Sequence, residues 1–173
     1  PLVNHLPNPS FEEQAGGGAA GWAWFAWAGG EEARREVASP GHSGAHCVSI
    51  ASAKGTDAAW TVKVRVEPGK AYELSGWIRT EGVQGAAGAL LNIQNLQTVK
   101  TPALTGTADW TRVSTVFLND QTEVAINCLF GGWGSATGQV RGDYSAEYCG
   151  LTVVCGDVRC LGDPIRRWLV WST

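Results

Sequence analysis

Helical periodicity is nearly absent from these 173 residues, and that absence constrains the fold more than any motif does. Only GGEEARREVAS, residues 29–39, has a helical flavour, and its glycine and proline borders hold it to about two turns. The rest reads as short strands between turn signals. In AAWTVKVRVEPGKAYELSGWIRT, residues 58–80, Val62, Val64 and Val66 alternate with Lys63 and Arg65, giving one apolar and one charged face. EPGK supplies a tight connection, and YELSGWIRT returns as the next strand. AHCVSIAS, GALLNIQNLQ, WTRVSTVFL and EVAINCLF complete the set. This pattern predicts an all-β fold, a β-sandwich jelly roll of two antiparallel sheets. The stretch after Gly138 alternates poorly, although GLTVVCG reads as a final strand. The sandwich is therefore placed at residues 1–148, with an atypical C-terminal strand and tail at 149–173.

Charge and composition narrow the function. With 13 Lys and Arg against 16 Asp and Glu, the net charge is −3. No basic block exists, which argues against a nucleic-acid partner, since such binding rests on clustered cations. No apolar run approaches the ~20 residues of a membrane-spanning helix. The chain has no Met and no signal segment, and it is read as a mature or excised domain. Five cysteines leave an odd one. Cys47 and Cys128 sit in apolar, strand-like runs, where small buried hydrophobes and a disulfide are both open readings. No cysteine or histidine spacing suggests zinc.

Two features ask for chemistry. The first is NPSFEE, residues 8–13, with adjacent carboxylates at Glu12 and Glu13. A solvated turn, a catalytic acid and a metal ligand are the three readings. Catalysis of glycoside cleavage needs two carboxylates across a cleft, about 5–9.5 Å apart. Adjacent strand residues point to opposite faces and cannot form that pair. The second feature is nine tryptophans in an all-β chain. An indole offers a broad, rigid face to the C–H face of a sugar ring, so surplus tryptophan suggests glycan stacking, with core packing the ordinary alternative. In AYELSGWIRT, Tyr72, Leu74, Gly76 and Ile78 share the plausible core face, which leaves Trp77 and Arg79 on the other. In WAWFAW, Trp22 and Trp24 share one face, Phe25 and Trp27 the other. Trp133 lies in the glycine-rich FGGWGSATG, and Asn92 and Gln94 share a face of LLNIQNLQ. Amides on such a face either contact sugar hydroxyls or face water.

The ordered series NHLPNPSFEE, GW at 21–22, SPGHSGAHCVSI, VEPGKAYELSGWIRTEGV, LTGTADWTRVSTVF and GGWGSATGQV resembles the carbohydrate-binding modules of families 4, 9 and 22. The resemblance spans residues 4–140. It implies a jelly roll, a non-catalytic role, secretion, and attachment to a glycoside hydrolase or similar enzyme. It also implies a structural Ca²⁺ site, with Glu12 and Asp143 giving side chains, and Glu13 and the turn containing Ser43 and Gly44 giving carbonyls. Where the family closes on an aromatic and paired aspartates, this chain reads RGDYS and keeps Asp143 alone.

The expected function is non-catalytic binding of a β-linked polysaccharide of the β-glucan or xylan class. Trp77 and Trp133 would stack on sugar rings, with Trp24 and Trp27 as further aromatics, and Arg79, Asn92 and Gln94 would read hydroxyls. The polysaccharide is then the partner, the module is tethered to a catalytic domain, and a monomer is expected. The rival is a β-sandwich spacer or protein-contact domain of an extracellular protein.

Overall fold

A computed structural model describes residues 2–85, 87–96, 98–131 and 144–156. Among them, eleven strands and no helix are formed. A small ribbon, β1 (Gln14–Ala15) with β2 (Gly18–Ala19), precedes two antiparallel sheets. The four-stranded sheet runs in the order β3 (Ala23–Ala28), β6 (Asp57–Arg65), β10 (Glu123–Phe130), β8 (Ala89–Ile93). The five-stranded sheet runs β4 (Arg34–Ala38), β5 (Cys47–Ser52), β11 (Tyr144–Gly156), β7 (Ala71–Val83), β9 (Gly106–Leu118). The predicted all-β sandwich of two antiparallel sheets is the fold observed.

The core lies between the sheets and follows the alternation read from sequence. Val62, Val64, Val124 and Ile126 of the four-stranded sheet meet Tyr72, Leu74, Ile78, Val48 and Ile50 of the other. Burying a side chain of this size contributes about 1.5–3 kcal/mol. Tyr148 of β11, fully buried, crosses the core and donates its hydroxyl to the Leu129 carbonyl of β10 at 2.6 Å. Trp22 and Trp60 are core residues, donating their indole N–H to the carbonyls of Pro7 (3.2 Å) and Ser49 (3.1 Å).

Two sequence expectations need correction. The segment with helical flavour contributes β4, because Arg34 to Ala38 pair residue for residue with Ala51 to Cys47. Sheet pairing overrides a weak local propensity for helix there. The division at 148 falls inside β11, so residues 149–156 belong to the sandwich. Its poor alternation has a physical cause. Ala146 and Tyr148 point into the core, and so do Leu151 and Val153, with a bulge between Cys149 and Thr152 that shifts the phase by one residue. Gly150 supplies the positive φ of +57° that this bulge requires.

Past the bulge, the N-terminal segment takes the side of β11 that β5 vacates. Asn4 bridges Val154, its amide donates to the Leu151 carbonyl at 3.0 Å, and its oxygen accepts from Val153 N–H at 2.9 Å. His5 N–H donates to Val153, and Leu151 N–H to Pro9.

Tyr148→Phe removes one of the buried side-chain hydrogen bonds that join the two sheets. The expected loss is about 1–3 kcal/mol. It should appear as a lower denaturant midpoint at unchanged m-value, and an unshifted midpoint would show that the bond adds nothing.

Candidate functional site

The turn at residues 8–13 is built by Asn8. Its side-chain oxygen accepts from Glu13 N–H (3.1 Å), and its amide donates to the carbonyls of Glu13 (2.8 Å) and Ala20 (3.0 Å). This clamp drives Phe11, at φ +61°, into the core against Trp22, with ring centroids 5.0 Å apart. Glu12 is thereby presented to the Ser43–His46 turn. Its carboxylate accepts from His46 N–H and from the His46 Nδ1–H, each at 3.1 Å. A Cβ on Gly44 would collide with Glu12 Oε1, so the carboxylate lies against that turn.

The calcium set that the resemblance implies names Glu12, Glu13, Ser43, Gly44 and Asp143. Glu12 and the Ser43–Gly44 turn come together. Glu13 does not fit, because its carbonyl already accepts from Ala20 N–H and the Asn8 amide while its side chain is exposed. Asp143 lies outside the described residues. Among those residues no three His, Cys, Asp or Glu side chains converge on one point.

His46 holds the Glu12 carboxyl below the usual carboxylate range, its ring hydrogen bond being the largest cause and its backbone N–H the next. A carboxyl that titrates lower folded than unfolded stabilises fully above its unfolded pKa. It loses that contribution as pH falls through the folded value. Thermal midpoints should therefore decline through the acid range, and Glu12→Gln should flatten that decline. Superimposable profiles for the two proteins would assign the acid sensitivity to other groups.

The predicted ligand residues divide between opposite outer faces of the sandwich. Trp77 and Arg79 lie on β7, on the side of the five-stranded sheet turned away from the core. There they already have partners. His42 stacks on Trp77 with centroids 3.9 Å apart and 14° between planes, and meets Trp110 edge-on at 5.7 Å. Arg79 pairs with Glu147, its Nε 2.6 Å from the carboxylate, and sits over the Trp110 ring at 5.1 Å. Arg112 pairs with Glu73 at 2.5 Å on the same face. A cleft of about 400 Å³ beside them is lined by Arg79, Glu81, Asp109 and Glu147 among others, with no aromatic ring among the described residues that line it.

Asn92 and Gln94 lie on the outer face of the four-stranded sheet, where the arrangement differs. Register puts Ala23, Thr61, Asn127 and Asn92 in one row across β3, β6, β10 and β8. Asn127 donates its amide to Gln94 Oε1 at 3.0 Å. The side-chain oxygens of Asn92 and Asn127 are buried and have no hydrogen-bond partner among the described residues. Such atoms cost about 1–3 kcal/mol each when left unmet. The neighbouring row holds Phe25, Ala59, Leu129 and Leu90, the last three forming a small buried apolar cluster apart from the main core. At the β3 edge Phe25 and Trp27 are 50% and 41% exposed, with their rings 4.8 Å apart. Two strand spacings, about 10 Å, separate these aromatics from Asn127.

Trp24 turns the other way, inward, with its ring edge-on to Trp60 at 6.0 Å and Arg35 above it at 5.1 Å. Trp133 lies outside the described residues. Asn127 was missed in sequence, although alternation in EVAINCLF sets it opposite Val124, Ile126 and Cys128. Phe25 was read only as Trp27's neighbour.

The profile of a carbohydrate binding domain family, that of modules 4 and 9, matches residues 3–127, and the chain belongs to this family. No curated protein sequence matches it. Among solved structures it is similar to TmCBM61 in complex with β-1,4-galactotriose, at 14% identity and a TM-score of 0.59, over 87% of this chain and 97% of that one. It is also similar to a CBM4 module (15%, TM-score 0.54, 86% and 98%). A third is the CBM22-2 xylan-binding domain of Xyn10C from Paenibacillus barcinonensis (14%, TM-score 0.54, 85% and 97%).

Proposed function

We propose that the chain is a non-catalytic module that holds a β-linked polysaccharide, of the β-glucan or xylan class, across the outer face of its four-stranded sheet. The observation that carries this reading is the facing pair Asn92 and Asn127, whose buried amide oxygens lack any partner among the described residues. Sugar hydroxyls are donors of the right kind, and the Phe25–Trp27 pair offers apolar surface to the ring faces. The β-linked class is supported by the galactotriose and xylan named for two of the similar structures. No bond is broken in this role. Binding raises the effective concentration of a tethered, secreted catalytic domain on its polysaccharide, with the module itself monomeric.

The test is calorimetric titration against soluble β-glucans, xylans and β-1,4-galactan. Asn92→Ala and Asn127→Ala should each weaken binding about tenfold, or ~1.4 kcal/mol. Trp77→Ala should leave affinity unchanged. If a folded Trp77→Ala variant alone loses binding, the site is on the opposite sheet. Silence across the panel from native protein favours the spacer domain.

We also propose that Ca²⁺ is held by the Glu12 carboxylate and the Ser43–Gly44 turn, with Asp143 as a second carboxylate and without Glu13. A hard cation takes such oxygens, and one bound only by the folded state raises its stability. The melting temperature should rise in millimolar Ca²⁺ relative to chelator, and Glu12→Gln should abolish the rise. Equal melting in the two conditions rejects the site.

A further inference from the structure

We propose that Cys47 and Cys149 form a disulfide that ties β5 to β11 on the outer face of the five-stranded sheet. The pairing of these strands runs from Tyr144 opposite Ser52 to Tyr148 opposite Val48. One further step along the same register sets Cys149 opposite Cys47. Directly opposed residues of antiparallel strands have Cα atoms about 4.5–5.5 Å apart, inside the 4.4–6.8 Å span of disulfides. The two side chains share a face. Tyr148 and Val48 point into the core, so their chain neighbours point out, and Cys149 lies opposite the outward Trp77 on its other side.

The sulfur of Cys149 donates to the His46 carbonyl at 3.4 Å, which brings it to the peptide that leads into Cys47. Both thiols are free and fully buried in the structure. Neither has a competing cysteine among the described residues, and the Cys47 thiol donates to the Pro40 carbonyl at 3.8 Å. Cys128 faces the core from β10 of the other sheet, and Cys155 packs against the core beyond the bulge, opposite Tyr72.

The chemistry is thiol–disulfide exchange with a small disulfide oxidant such as oxidised glutathione. One cysteine thiolate attacks the oxidant, releasing a glutathione thiolate and leaving a mixed disulfide. The second cysteine thiolate attacks the bound sulfur, closes the S–S bond and releases the other glutathione. The two protons and two electrons lost by the protein leave with the two glutathione thiols. Burial pushes the Cys47 thiol up to about 12, with the charges of Glu147 and Cys149 adding to desolvation. The folded dithiol is therefore a poor nucleophile, so closure belongs to folding, before the Ser39–His46 loop covers the pair. Once closed, the bond is shielded from reductant by the same burial.

The whole chain should be refolded from denaturant with oxidised and reduced glutathione, and in parallel with dithiothreitol. Alkylation in denaturant and peptide mass mapping then identify the pairing. The expected result is a peptide pair joining Cys47 to Cys149, with Cys128 and Cys155 alkylated. The oxidised protein should melt higher than the reduced one, a difference that Cys128→Ser retains and the Cys47→Ser, Cys149→Ser double variant lacks. Alkylation of both Cys47 and Cys149 in oxidatively refolded protein with a native circular dichroism spectrum overturns the proposal. So does a bond from either one to a different cysteine.

Discussion

The sandwich depends on β11 being gripped from both sides although its partners change along its length. Up to Tyr148 it lies between β5 and β7. At the Gly150 bulge the register slips, and from Leu151 onward the N-terminal segment replaces β5. Asn4 does most of this with one side chain, giving its amide to Leu151 and taking the N–H groups of Val153 and Leu6. Backbone groups at a sheet centre cannot be left without partners when water is excluded. The bulge would strand several of them, and Asn4, His5 and Pro9 meet that need. Tyr148, just before the bulge, then fixes the distance to the second sheet through its bond to Leu129.

The two outer faces solve the problem of polar groups in different ways. On the five-stranded sheet, charge meets charge and ring meets ring: Arg79 with Glu147 and Trp110, Arg112 with Glu73, and Trp77 with His42. The ring nitrogen Nδ1 of His42, on the same face, is buried with no hydrogen-bond partner among the described residues. On the four-stranded sheet the amides are neutral, clustered and incompletely matched, with Asn127 giving a hydrogen to Gln94 while its own oxygen stays unmet. A neutral, unmatched row suits an uncharged ligand rich in hydroxyls.

Much of this was readable in the residues, and the failures share physical causes. Val62 and Val64 gave the inward face of β6 without ambiguity, because alternation reports which side of a strand is buried. The same rule placed Trp77 and Asn92 outward, correctly. Alternation is silent about which sheet a strand joins, so residues on opposite outer faces were gathered into one groove. Long-range pairing decides that, and β7 and β8 follow one another in sequence yet lie in different sheets. The end of the chain misled for another reason. One residue inserted at Gly150 inverts the pattern, so Tyr148 and Leu151 both point inward and a regular reader sees disorder in a regular strand. The contact between Glu12 and His46, 34 residues apart, leaves no local trace in the sequence.

The central position of β11 also sets the order in which this protein can assemble. Without its last described strand the five-stranded sheet is two separate ribbons, β4 with β5 and β7 with β9. Two-stranded ribbons are marginal in water, and their inner edges are open to the wrong partner. The N-terminal residues wait longest, since Asn4 meets Val153 across 149 positions of chain. Contacts so distant are slow to form. A ribosome must therefore release nearly the whole domain before its larger sheet can close, and until then the chain is held in a collapsed, edge-exposed state. Whatever protects nascent β-proteins from one another during that interval is, for this fold, as much a condition of the native structure as its core.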